Sequence, residues 1–315
     1  MIVNPRGAHY RPIVVSAIVS AVLFYSGVFS FLFAVPVQVN YSRRGAPLGI
    51  RSALATGALI IIVHLAQVLR LDGVQGETVR LLLLDSLMPI GVLLAVSLFN
   101  LLRSITWAYR LLVATVPALL ASLPSIVILV AASSGDGPLG EQLSEMLSAL
   151  GMGVNLEYWL AAVRRIVLNT VGVGLLASVA ANWWIGRSIV LRGSAGSASL
   201  RDARVPDPMV WFVIAGLAGV LFAWLAGPAA LEPLAWNIML VAAFTYGVQG
   251  IGLIQHLLRR RGLSERSERW VLTLSLVALF LPGINVLAAI GIPLLGMSEI
   301  WIDFKRGEKY EGHSE

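Results

Sequence analysis

Ionisable side chains sit inside long apolar stretches of this chain, where burying them in hydrocarbon is expensive and each needs a reason. Asp85, in RLLLLDSLMPIGV, falls about one helical turn into its stretch. Pro89, four residues on, has no N–H to offer the Asp85 carbonyl, so a backbone acceptor is freed beside the carboxylate. Asp85 reads either as a ligand- or ion-binding carboxylate or as an interfacial acid paired with Arg80 or another helix. His64 shares a helical face with Gly57 and Gln67, while Thr245, Gln249, Gly252 and His256 form one stripe at steps of four, three and four. A stripe of that kind must face protein or water. It either lines a cavity or supplies interhelical hydrogen bonds of roughly 1 kcal/mol each. Taken together, Asp85, His64, Asn169, Tyr246, Gln249 and Asn285 are the expected lining of a small-solute site toward the outer half of a membrane.

Other chemistries find little support. Two histidines in different stretches make no zinc spacing and HExxH is absent, so no metal and no cofactor are expected. There are no cysteines, which excludes disulfides, thiolate metal sites and cysteine nucleophiles together. GxSxG and P-loop motifs are missing, and VGVGLL (Val171–Leu176) lacks the context of a phosphate cradle. With no nucleophile beside a base, the chain reads as a non-enzyme. Its net charge of +6 raises nucleic acid as a partner. The basic residues, however, stand at the ends of apolar stretches, and no basic face interleaved with aromatics appears, so no nucleic-acid partner is expected.

The elements that would position these residues are membrane helices. Of 315 residues, 57% are hydrophobic and only 13% charged, against about 25% charged in soluble domains. PMVWFVIAGLAGVLFAWLAG (Pro208 to Gly227) has 20 residues and no formal charge, enough to cross about 30 Å of hydrocarbon. The expected spans are Ile13–Tyr25, a short Val28–Val39 after a break at Ser26-Gly27, Ser52–Leu69, Leu81–Leu102, Leu111–Ala132, Ile166–Ile185, Pro208–Gly227 and Leu234–Leu258. Trp270–Ile302, interrupted by Pro282-Gly283, reads as two half-spans or a re-entrant pair. The fold class is therefore all-α: a polytopic helical transmembrane bundle of about eight spans plus short or re-entrant helices, forming one integral membrane domain over 1–315.

Charge sets the orientation. With both termini cytoplasmic, all but Arg70, Arg80, Arg164 and Arg165 of the 23 basic residues fall inside, among them Arg103, Arg110 and Arg187. Loop 191–207 is then cytoplasmic. Loop 133–157 carries Asp136, Glu141, Glu145 and Glu157 with no basic residue and lies outside. Within it, Leu143, Met146, Leu147 and Leu150 recur at helical spacing, as in a short amphipathic helix on the outer interface. The first apolar run, Ile13 to Val35, exceeds the h-region of a signal peptide and reads as a retained span. Trp159, Trp183, Trp184, Trp211, Trp224 and Trp301 lie near span ends, as an interfacial belt does.

Small residues one turn apart let helices approach closely. Ser16 with Ser20 and Ala17 with Ala21 make such a face, as do Gly174, Ser178 and Asn182, Ala177 with Ala181, and Ala215 with Gly219. Each is either packing within the bundle or, for the first, a docking face for another membrane subunit. Helix breakers fall at Pro117 and Pro124, on one side of a span, and at Pro282, Gly283, Gly291, Pro293 and Gly296. Broken helices of this kind often border transporter binding sites.

YGVQGIGLIQHLLRRRGL (Tyr246–Leu263, with Gly250), GMSEIWIDFKRG (Gly296–Gly307) and YSRRG (Tyr41–Gly45) resemble segments of the YybS-like family of bacterial multi-spanning membrane proteins. That family usually shows Asp-x-Trp-x-Asp-Phe-Arg near its end. Here Glu299, Trp301, Asp303, Phe304 and Lys305 stand in those places, two of them substituted conservatively. The family in turn is similar to the substrate-binding subunits of energy-coupling-factor transporters and to the cell-shape protein MreD. The resemblance implies a multi-pass protein of the bacterial inner membrane, either a solute-binding transport subunit or a membrane scaffold. In the transporter subunits an Ala-x-x-x-Ala face on the first helix docks the coupling subunit, and Ala17 and Ala21 match it.

Overall fold

The structure is a computed structural model that describes residues 7–70, 84, 86–132, 156–191, 200, 203–225, 227–228, 230–278 and 281–302. Asp85, the outer-loop helix around 140–151, Asp303 and Phe304 lie outside the described residues. Ten α-helices are described: α1 (Gly7–Tyr25), α2 (Val35–Arg44), α3 (Ala46–Arg70), α4 (Leu87–Leu101), α5 (Trp107–Ala132), α6 (Leu156–Leu191), α7 (Val210–Leu225), α8 (Leu231–Arg260), α9 (Glu265–Ala278) and α10 (Ile284–Ser298). Short 3₁₀ turns at Ser30–Leu32 and Asp207–Met209 complete them, and among the described residues there is no strand.

This is a membrane protein. Helical segments Ala46–Arg70, Trp107–Ile128, Tyr158–Leu191, Asp207–Leu225 and Leu231–Arg260 are each long and apolar enough to cross a bilayer. Only 17% of the most apolar window of Asp207–Leu225 is buried by protein. Leu217, Leu221, Phe222 and Trp224 are more than half exposed there, which hydrocarbon tolerates and water does not. Three further apolar helices, Tyr10–Tyr25, Leu87–Leu101 and Ile284–Ser298, are shorter. The second expected span differs from expectation. Val28–Val39 divides into the turn at Ser30–Leu32 and the start of α2, whose 10 residues rise only about 15 Å. The breaks at Ser26-Gly27 and Pro282-Gly283 are where they were read, with Gly27 at φ 71° and Gly283 at φ 84°, conformations that glycine adopts without a Cβ penalty. Pro117 and Pro124, by contrast, sit inside an uninterrupted α5.

The contacts group the chain into two compact units, 1–104 with 110–193, and 105–109 with 194–315. In the first, Asn40 Nδ2 donates to the Pro12 carbonyl and to Ser52 Oγ at one end, at 3.2 and 2.8 Å. At the other end Tyr25 donates to the Ile60 carbonyl at 3.1 Å. Helices α1 and α3 therefore run side by side in the same direction, and α2 returns between them. The small face of α1 is used here: Ser16, Ala17, Ser20 and Ala21 are buried within the unit, where α1 packs on α3 and α2. Likewise Ser178 and Asn182 of α6 donate to the Phe31 carbonyl at 3.0 and 2.7 Å, which satisfies backbone freed at the turn before α2.

In the second unit α8 is the hub, packed on α7, α9 and α10. Glycines allow backbone to meet backbone. A Cβ on Gly250 would overlap the Ile292 carbonyl, one on Gly296 the Tyr246 carbonyl, and one on Gly216 would come within 2.7 Å of Met239. Gly250 and Gly296 thus serve the α8–α10 crossing. Substituting Gly250→Ala should lower stability by about 1–3 kcal/mol through overpacking. Gly174→Ala, where nothing lies within 4 Å, should leave stability unchanged or slightly higher. Thermal unfolding of the detergent-solubilised variants checks the contrast.

Candidate functional site: an arginine-lined cavity

The expected lining residues that are described fall in both units. His64 is buried, its Nδ1 2.9 Å from the Tyr25 hydroxyl and 3.0 Å from the Ile60 carbonyl, beside the Phe24 ring. His64 and Asn169 belong to the first unit, whereas Tyr246, Gln249 and Asn285 belong to the second. Thr245, Gln249, Gly252 and His256 are all buried, so the stripe faces protein as its spacing requires. Gln249 is engaged structurally: Oε1 accepts from the Val205 N–H, and Nε2 donates to the Gly296 carbonyl at 3.0 Å and to Glu299 at 2.9 Å. Asn285 Oδ1 accepts from the Val286 N–H at 2.9 Å, at an exposed helix start. Tyr246 is fully buried, and Trp301 is 71% exposed.

Among the described residues a cavity with polar groups lies in the first unit, and its Arg103, Arg110, Arg187 and Trp183 were read only as topology signals. It has a volume of about 360 Å³ and is lined by Gln38, Asn100, Arg103, Arg110, Trp183 and Arg187, with Ser42, Phe99, Val190 and Leu191 completing it. Chain direction explains the gathering. Helices α2 and α6 run the same way, from Phe31–Asn182 to Gln38–Gly186, and Gln38 of α2 pairs with Asn100 near the end of α4. Helix α5 starts where α4 ends. Arg103 after α4, Arg110 near the start of α5 and Arg187 near the end of α6 therefore meet beside Gln38 and Ser42 of α2.

Two amides form the floor. Asn100 Nδ2 donates to Gln38 Oε1 at 2.6 Å, and Gln38 Nε2 donates back to Asn100 Oδ1 at 3.2 Å. Each also holds to its own helix, Asn100 through the Val96 carbonyl at 2.8 Å and Gln38 through Ser42 Oγ at 3.2 Å. Gly186 lets Gln38 in: a Cβ there would fall 2.7 Å from Gln38 Cβ.

The wall is cationic and aromatic. The Arg110 guanidinium lies 4.0 Å from the centroid of Phe99, which is wholly buried. Phe99 meets Trp183 edge-on at 5.3 Å, and Arg187 lies 5.7 Å from the Trp183 ring. Trp183 accordingly lines the cavity, a role beyond the interfacial belt. Arg103 is tethered by its Nε, which donates to the Asn100 carbonyl at 3.1 Å. No Asp or Glu lines the cavity among the described residues.

This arrangement offers charge and hydrogen-bond donors to a ligand. Sequence reasoning missed Gln38 and Asn100. Their signal was available: each is an amide within a turn or two of arginine at the end of an apolar run. Their pairing across 62 positions was not. Removing one amide strands the other, so Asn100→Ala should cost about 1–3 kcal/mol. The double variant Gln38→Ala/Asn100→Ala should be less destabilised than the sum of the singles, with a coupling of roughly 0.5–3 kcal/mol in a double-mutant cycle of thermal unfolding. No family model, no curated protein and no solved structure matches this chain.

Proposed function

We propose that the chain is a non-enzymatic, transport-related binding protein of the bacterial inner membrane, crossing it about eight times with both termini in the cytoplasm and holding a small solute in the cavity of its first unit. The observation that carries this reading is the cavity itself. A pocket of about 360 Å³ falls in the range of small-molecule sites, and it joins apolar walls to a few convergent polar groups. The five long apolar helices and three shorter ones support the crossings. The meeting of Arg103, Arg110 and Arg187 at one end of the unit supports an inward-facing mouth, because basic residues concentrate on the cytoplasmic side. The solute site accordingly moves from the outer half, where Asp85, His64 and Gln249 were expected to form it, to the arginine-bearing end. The alternative, a scaffold recruiting partners through small-residue faces and basic inner loops, has less support from α1, where Ser16, Ala17, Ser20 and Ala21 are buried inside the unit.

Two measurements test the reading. The chain has no cysteine of its own, so single-cysteine variants report sidedness directly. Ser134→Cys should react with an impermeant maleimide on intact cells, and Ser264→Cys only after permeabilisation. The opposite pattern overturns the orientation. For binding, the purified protein is screened by thermal shift against metabolites, charged and neutral. At least one should stabilise the wild type and lose its effect in Asn100→Ala. A screen with no stabilising compound removes the binding function.

A further inference from the structure

The character of this cavity specifies its ligand more narrowly, and the step rests on the solute-binding reading above. Three guanidinium groups line a space of about 360 Å³ that no carboxylate enters among the described residues. Arginines that serve only to orient a membrane protein stay in water at the loops. Arg110 does not. It is partly buried, stacked on the ring of Phe99, and its Nε is buried without a hydrogen-bond partner among the described residues. A desolvated cation with an unused donor is unfavourable until an anion arrives. Arg187 and Arg103 line the same space and are themselves exposed.

We infer that the cavity is a phosphate-binding site, taking a phosphate group carried either by a small soluble ester or by the headgroup of an anionic lipid. Guanidinium forks match the tetrahedral oxygens of phosphate two at a time, and the aromatic rings hold the forks in place. A phosphate ester, with one or two negative charges, offsets one or two of the three positive ones. With the amide N–H groups already engaged, the remaining lone pairs of Gln38 Oε1 and Asn100 Oδ1 and the Ser42 hydroxyl on the floor can bond the hydroxyls of a glycerol- or sugar-like group attached to it. Both sources of phosphate are plausible chemistry at this place. Basic pockets between membrane helices on the cytoplasmic side take anionic headgroups, and a polar floor suits a soluble ester equally.

The test uses the full-length protein, delipidated and held either in neutral detergent or in phosphatidylcholine nanodiscs. The probes are inorganic phosphate, glycerol 3-phosphate and short-chain phosphatidylglycerol, with chloride at matched ionic strength as the control. Binding is read by thermal shift and by native mass spectrometry. At least one phosphate probe should stabilise the wild type and appear as a bound adduct, with affinity at least about tenfold weaker in Arg110→Gln and Arg187→Gln. Arg261→Gln, in the other unit, should behave as wild type. A response to glycerol 3-phosphate assigns the soluble source, and a response to phosphatidylglycerol alone assigns the lipid. If Arg110→Gln does not fold, Arg187→Gln, on an exposed side chain, carries the test. The inference is overturned if no phosphate probe binds the wild type, or if both glutamine variants bind as the wild type does. A neutral solute that binds in an Asn100-dependent way while phosphate does not would overturn the phosphate inference and leave the binding function standing.

Discussion

In hydrocarbon, no water waits to satisfy a peptide group, and most of this architecture follows from that one constraint. At several places where the backbone leaves the helical pattern, an amide side chain reaches across to meet it. Asn182 donates to the Phe31 carbonyl at the turn before α2. Gln249 takes the Val205 N–H and gives to the Gly296 carbonyl, and Gln255 accepts from the Leu200 N–H at 3.2 Å. Asn40 ties the Pro12 carbonyl to Ser52. These residues fasten irregular backbone to regular helices, which is how a chain with several broken segments keeps a defined packing.

The same constraint distinguishes the cavity from the rest of the polar network. Most of the buried amides described end on backbone, so their hydrogen-bonding capacity is taken up within the fold. Gln38 and Asn100 bond each other, and they do so beneath a group of cations rather than beside a carboxylate. Arg110 reaches this place because α5 begins there, and the Phe99 ring compensates part of its desolvation. Structure and electrostatics are thereby coupled: the close approach at Gly186 that admits Gln38 also sets the floor under the arginines.

Glycines divide the work in a similar way. Gly250 and Gly296 are both needed for α8 and α10 to touch backbone to backbone. Glu299, bonded to Gln249, extends the same seam. Trp301 lies exposed at its end, as an interfacial tryptophan does.

What the sequence determined on its own was whatever depends on local composition. Uninterrupted apolar length marks the membrane helices, a Ser-Gly or Pro-Gly pair ends one, and the buried stripe Thr245–Gln249–Gly252–His256 follows from helical spacing alone. Function-bearing neighbours were another matter. Gln249 looked like a cavity residue because a polar side chain inside hydrocarbon must face something, and spacing does not say whether that is a ligand or the Gly296 carbonyl. Arg103, Arg110 and Arg187 looked like separate markers of orientation because each closes or opens its own apolar stretch. Only the alternation of helix directions brings those ends together, and it does so through contacts such as Gln38–Asn100 between residues 62 apart. Side-chain chemistry is written residue by residue, but the electric field of a cavity belongs to the arrangement, and that is decided by packing.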